Sequence, residues 1–105
     1  MIARIWRGVA SVEKAEDYHR HFTTSVAPHL KDISGNMGAY LLKRSIDTQV
    51  EFLAVTLWES LKSIENFAGV DPTVAIVEPE GRAALASFDD FASHYEVAFR
   101  AIPNS

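Results

Sequence analysis

The groups in this chain able to move protons or bind charge are four histidines, ten Lys and Arg residues, fourteen Asp and Glu residues, and a small set of aromatic rings. His19 and His21 invite a metal reading, because neutral imidazole is the commonest metal ligand. On a helix, however, residues two apart are rotated by about 200°, so these rings cannot hold one ion. No other His, Asp or Glu spacing matches a ligand set. The five glycines stand singly, so no loop cradles a phosphate and nucleotide cofactors are not expected. A serine nucleophile would need a strained G-x-S-x-G elbow, and the chain has none. With no cysteine, disulfides, thiol nucleophiles, thiolate metal sites and iron–sulfur ligation are all excluded.

What remains is a group of polar and aromatic side chains on segments with strand character. Arg4 and Trp6 share one face of the first segment by the two-residue period, and His94 and Glu96 share a face of the last. If those strands pair, the four side chains converge, although their relative phase is open. The plainer alternative is a salt-bridged ladder in which His94 is a satisfied structural histidine. Trp58, at a strand end, offers either a pocket wall with one N–H donor or a core plug. Tyr40, Tyr18 and Phe22 carry the same ambiguity. His29 extends the stripe of Phe22 if the helix continues past Pro28.

The elements that must position these groups follow from patterning. At 105 residues, 48% hydrophobic and 23% charged, the chain suits one globular domain over 1–105 with one core. MIARIWRGVA reads as a strand, and Ser11 with Glu13, Glu16 and Asp17 as a helix start. Ala15, Tyr18, Phe22 and Val26 form a buried stripe, and Pro28 should end or kink that helix. After Gly35-Asn36, MGAYLLKRSI and QVEFLAVTLWE read as a hairpin across Asp47-Thr48. Leu61, Ile64 and Phe67 return to helical spacing, with a stop at Gly69 and a restart at Asp71-Pro72. RAALASF reads as a short helix and FASHYEVAFRA as the fourth strand.

The order β-α-β-β-α-β is that of an α+β ferredoxin-like domain, a four-stranded antiparallel sheet with helices on one face. In the third strand both phases are apolar: Val50, Phe52, Ala54 on one side, and Leu53, Val55, Leu57 on the other. Helices cover only one face, so a second copy of the chain is expected over the other, giving a homodimer. The formal charge of −4 and the scatter of basic residues argue against a nucleic-acid partner. No apolar run nears the roughly 20 residues of a membrane span and no signal peptide is evident, so a cytoplasmic protein is expected.

MIARIWRG at the N-terminus, GNMGAYLLKR, EFLAVTLWES running into SIENFAG, and HYEV near the end resemble the antibiotic biosynthesis monooxygenase family of dimeric α/β-barrel proteins. The resemblance covers nearly the whole chain. It implies two sheets facing each other across a dimer and a pocket in each subunit between sheet and helices. It also implies oxygenation of a small phenolic or quinol-type aromatic substrate by dioxygen, in which the substrate loses a proton and its anion reduces oxygen directly. That scheme needs no metal or flavin. The matching residue types are His94 as base or donor and Arg4 as anion stabiliser. Trp6, Tyr40 and Trp58 match as walls or donors, with Phe22, His29 and Glu96 as further substrate contacts. The haem-degrading branch carries an iron-binding histidine after the strand-end tryptophan. Here that stretch is PTVAIVEP, which disfavours haem degradation. A lyase or isomerase on the same scaffold, or a non-catalytic dimer binding a small apolar ligand, stand beside the monooxygenase reading, and whether the chain is an enzyme is open at this level.

Overall fold

The computed structural model describes residues 1–103. Its elements are β1 (Ile2–Ser11), α1 (Ala15–His21), a π-helical turn (Phe22–Val26), α2 (Ala27–Lys31), β2 (Asn36–Ile46) and β3 (Gln49–Trp58). There follow α3 (Leu61–Ala68), α4 (Pro79–Ala84), β4 (Ser87–Phe88) and β5 (Ser93–Glu96). The sheet runs β2-β3-β1, with β4 and β5 both on the far edge of β1 and every pairing antiparallel. This is the ferredoxin-like arrangement, and β3 is central in it. Among the described residues no helix is long and apolar enough to cross a membrane.

The alternation read from β3 sets the two faces. Phe52, Ala54, Thr56 and Trp58 lie across from Gly8, Trp6, Arg4 and Ile2 and face the helices. Leu53, Val55 and Leu57 lie across from Arg7, Ile5 and Ala3 on the opposite face. The helix side holds the core, with Trp58, Phe52, Leu30 and Ile64 its largest fully buried side chains, each worth about 1.5–3 kcal/mol of burial. Among the described residues no helix covers the other face, where Leu53, Val55 and Leu57 are half-buried and Tyr40 and Leu42 beside them are exposed. Glu51 is a buried charge there, held between Arg44 and Arg7. Their hydrogen bonds keep its carboxyl below the usual carboxylate range, that from Arg44 foremost.

Several expectations about element limits are corrected. The first helix opens at Ala15, not Ser11, because Ser11 remains in β1 and takes the Lys14 N–H on both its carbonyl and hydroxyl oxygens. Pro28 does not end the helical run. The π-turn breaks the hydrogen-bond ladder just before it, so Pro28 falls in the first turn of α2, where a missing N–H costs nothing. Thr23 and Thr24 hydroxyls donate to the His19 and Arg20 carbonyls along that turn.

The expected helical restart at Asp71-Pro72 is instead a turn, closed by Asp71 accepting from Thr73 N–H and Oγ1. Beyond it, residues 73–75 pair in extended form with residues 90–92. That pairing also explains the fourth strand, which is interrupted rather than continuous over 91–101. Asp89 still donates to the Arg7 carbonyl of β1, and residues 90–92 then leave it to pair with residues 73–75, the start of a strap over 73–78, so the edge of β1 is shared by two short strands. The segment RAALASF divides accordingly between the end of α4 and β4.

Candidate functional site

A cavity of about 120 Å³ lies between the helix-facing side of β1 and β3, the run from α1 to α2, and the strap at residues 76–78. Its floor is Arg4, Trp6, Ala54 and Thr56. Cavities of about 150 Å³ admit one benzene ring, so this one has the size of a single-ring ligand.

Arg4 is the chemical centre of the floor. It is only 5% exposed, and its Nη2 donates to the Val74 carbonyl at 3.0 Å. Its guanidinium stands 5.4 Å over the Phe67 ring, a cation–π contact. The Nε is buried with no partner. Burial lowers the pKa of Arg4 to about 10, which still leaves it cationic at neutral pH. A buried cation among aromatic and aliphatic side chains is suited to an anionic ligand.

The other sequence-chosen residues separate into three groups. Trp6, Phe22 and His29 line the same cavity. The Trp6 ring folds over Gly8, where a Cβ would stand 2.9 Å from the ring's Cη2, and its Nε1 donates to the Asp89 carbonyl at 2.7 Å. Trp6 is therefore a wall, with its donor already used. His94 lies directly across from Arg4 and Glu96 across from Ile2, so the phase left open by sequence puts the quartet on one face. Neither is in the cavity wall: Glu96 is exposed, and His94 stands on the edge strand beside Arg4. Tyr40 is 60% exposed on the opposite face of the sheet. Trp58 is fully buried in the core, its Nε1 donating to Thr56 Oγ1 at 2.8 Å and its ring stacked on Phe67 at 6.0 Å.

Sequence reasoning missed His21, which is 8% exposed and lines the cavity opposite the sheet. The signal was present, since His21 follows Tyr18 by three residues and so falls on the buried stripe. His19, 200° away, is exposed, as the same helical arithmetic requires.

His94 has its pKa lowered, by burial first and by the charge of Arg4 second. Unfolded histidine titrates near 6.5, so as pH falls below that value the unfolded chain takes up this proton before the folded one does. Stability present above about 6.5 is then lost as pH falls through the lower folded value. Thermal melts between neutral and mildly acidic pH should show a steeper loss in the wild type than in His94→Gln; parallel curves would remove His94 as a source of acid lability.

No protein-family model matches the sequence, and no curated protein matches it. Solved structures do match. One from Bacillus cereus, provisionally assigned as an antibiotic biosynthesis monooxygenase, is 12% identical with a TM-score of 0.70, covering 99% of this chain and 97% of that one. A monooxygenase from Streptomyces coelicolor, solved with nanaomycin D, is 19% identical with a TM-score of 0.60, covering 98% and 91%. The chain has their fold. The same fold is found in the haem degrader MhuD from Mycobacterium tuberculosis, with two haems in its active site, at 18% identity and TM-score 0.64 over 96% and 99% of the two chains. The antibiotic biosynthesis monooxygenase fold thus spans the full chain, and at these identities the resemblance is one of architecture.

Proposed function

We propose that the chain is a cytoplasmic, homodimeric monooxygenase that oxygenates a small phenol without metal or flavin. The observation that carries this reading is Arg4, a buried cation whose Nε has no partner, at the floor of a cavity sized for one aromatic ring. Arg4 would stabilise a phenolate, whose raised electron density lets dioxygen react directly at the ring. The balance is simple: one phenol and one dioxygen give one quinone and one water. Trp6, Phe22 and His29 form the aromatic wall, while the hydrogen bond to Val74 and the ring of Phe67 keep Arg4 placed. A haem, with four pyrrole rings, is far larger than this cavity, and the strap at 76–78 lining it contributes Ile76, Val77 and Glu78. The direct test is oxygen uptake with a panel of single-ring phenols and hydroquinones. Stoichiometric uptake with quinone formation supports the reading; turnover under argon would point to a lyase or isomerase, and no turnover with retained binding to a binding protein.

The homodimer in this proposal rests on the uncovered apolar face of the sheet. Val55, opposite Ile5 on that face, is the position to test. Val55→Glu should leave the circular dichroism spectrum unchanged and weaken self-association by about tenfold or more, since it places an unpaired charge in an apolar contact. Sedimentation of the wild type as a monomer at micromolar concentration would remove the dimer.

A further inference from the structure

We infer that His21, oriented by Glu80, is the group that takes the hydroxyl proton of a single-ring phenol bound against Arg4. The inference rests on the phenol reading of the cavity and adds to it the proton acceptor and the size class of the substrate. His21 Nδ1 is buried without a hydrogen-bond partner, and the charged group facing it is the Glu80 carboxylate, with Oε2 at 3.5 Å. A neutral imidazole next to a carboxylate keeps its proton on the nitrogen that faces it. That leaves the lone pair on Nε2, the arrangement of a general base with an orienting acid.

The ring's surroundings fit that role. Tyr18 flanks it with centroids 6.3 Å apart. On its other edge, a Cβ on Gly81 would stand 3.3 Å from Cδ2 and Nε2, so the glycine gives the ring its place against α4. The ionisable groups around the cavity are Glu80 on α4, Glu78 on the strap, Tyr18 on α1, His29 on α2 and Arg4 on β1. Burial raises the pKa of Tyr18, so that phenol stays neutral and does not compete as an anion. A ring filling about 120 Å³ touches both walls, with His21 on the helical side and Arg4 on the sheet. In the step, the ligand O–H bond breaks and an Nε2–H bond forms. The electron pair stays on the ligand, whose anion is favoured by the charge of Arg4 across the ring, and no oxidant is required.

The experiment uses p-nitrophenol, colourless as the phenol and yellow as the phenolate, with the whole protein at a pH where the free probe is mostly neutral. Quenching of tryptophan fluorescence, through Trp6 in the wall, reports occupancy; the yellow band reports ionisation. Wild type should show both. His21→Gln and His21→Phe, the second filling the volume without an acceptor, should keep the quenching and lower the bound phenolate-to-phenol ratio about tenfold, one pKa unit of the ligand. Glu80→Gln, at an exposed position that does not endanger folding, should lower it about two- to threefold. Quenching with no yellow band in the wild type, or a band of full strength in both His21 variants, overturns this inference and leaves the phenol cavity standing. Should neither His21 variant fold, an unchanged band in Glu80→Gln overturns it. No quenching and no band in the wild type removes the phenol cavity itself, and the inference with it.

Discussion

Replacing Arg4 by methionine is expected to lower oxygen-dependent turnover by about a hundred- to a thousandfold while leaving the protein as stable as before or more so. The first half follows from the site. A donor aimed at developing negative charge in a water-poor pocket is worth about 2.7–4 kcal/mol in the transition state, and Arg4 is the buried cation of this cavity. The second half follows from what the arginine costs the fold. Its charge is desolvated enough to pull its pKa down to about 10, and among the described residues its Nε has no acceptor. A buried cation in that condition opposes folding, whereas methionine fills similar length and packs on Phe67 with no polar atom to satisfy. Steady-state oxygen uptake and urea unfolding of the same preparation check both halves. If the variant unfolds more easily yet turns over normally, Arg4 is a structural residue hydrogen-bonded to the strap and the proposed chemistry loses its centre. Arg4→Lys provides a graded comparison, since it keeps the charge without the planar fork.

The same residues show what the sequence made legible. The period of two was enough to put Arg4 and Trp6 on one face of β1, and to separate Phe52 and Ala54 from Leu53, Val55 and Leu57 on β3; the register that brings Arg4 and Trp6 to the Phe52 side is seen in the structure. The phase between β1 and β5 was not readable, since β5 is four residues long and its register depends on where residues 90–92 depart to pair with the strap. Of the two outcomes expected at Pro28, an end or a kink, the end does not occur and the irregularity falls just before it. Proline's rule concerns the donor it lacks, and the π-turn beside it had already released that donor's position from the ladder. The helical run goes on through α2, and His29 lines the cavity together with Phe22.

His21 and Trp58 mark the two opposite errors of reading side chains by type. Treated as half of a metal pair, His21 was set aside when the pair failed, although the angle that excluded the pair placed one ring inside and one outside. Trp58 attracted a chemical role because it is large and has a donor, and both properties are consumed by the fold. Its ring is fully buried and its N–H is given to Thr56. Its route to the cavity is indirect: Trp58 stacks on Phe67, and Phe67 in turn lies under the guanidinium of Arg4. That chain makes Trp58 a positioning residue for the floor of the site.

From this comes the largest stability effect expected in the molecule. Trp58→Ala removes a fully buried indole between β3 and α3, where it packs in one cluster with Leu30 and Ile64, and should cost about 3–5 kcal/mol in chemical denaturation. That is a large share of the 5–15 kcal/mol typical of a domain. The loss should be accompanied by weaker ligand binding, because Phe67 is left unsupported on one face. Trp58→Phe separates packing from chemistry. It keeps an aromatic surface against Phe67, forfeits the hydrogen bond to Thr56 at about 0.5–1.5 kcal/mol, and should retain turnover to within about threefold, since no indole atom need meet the substrate. The KM would carry most of any change, through the Thr56 hydroxyl now free at the cavity floor. A folded Trp58→Phe protein whose kcat falls by a hundredfold with KM unchanged would return the indole to direct contact with the reacting ring, and the stacked path through Phe67 would not account for it.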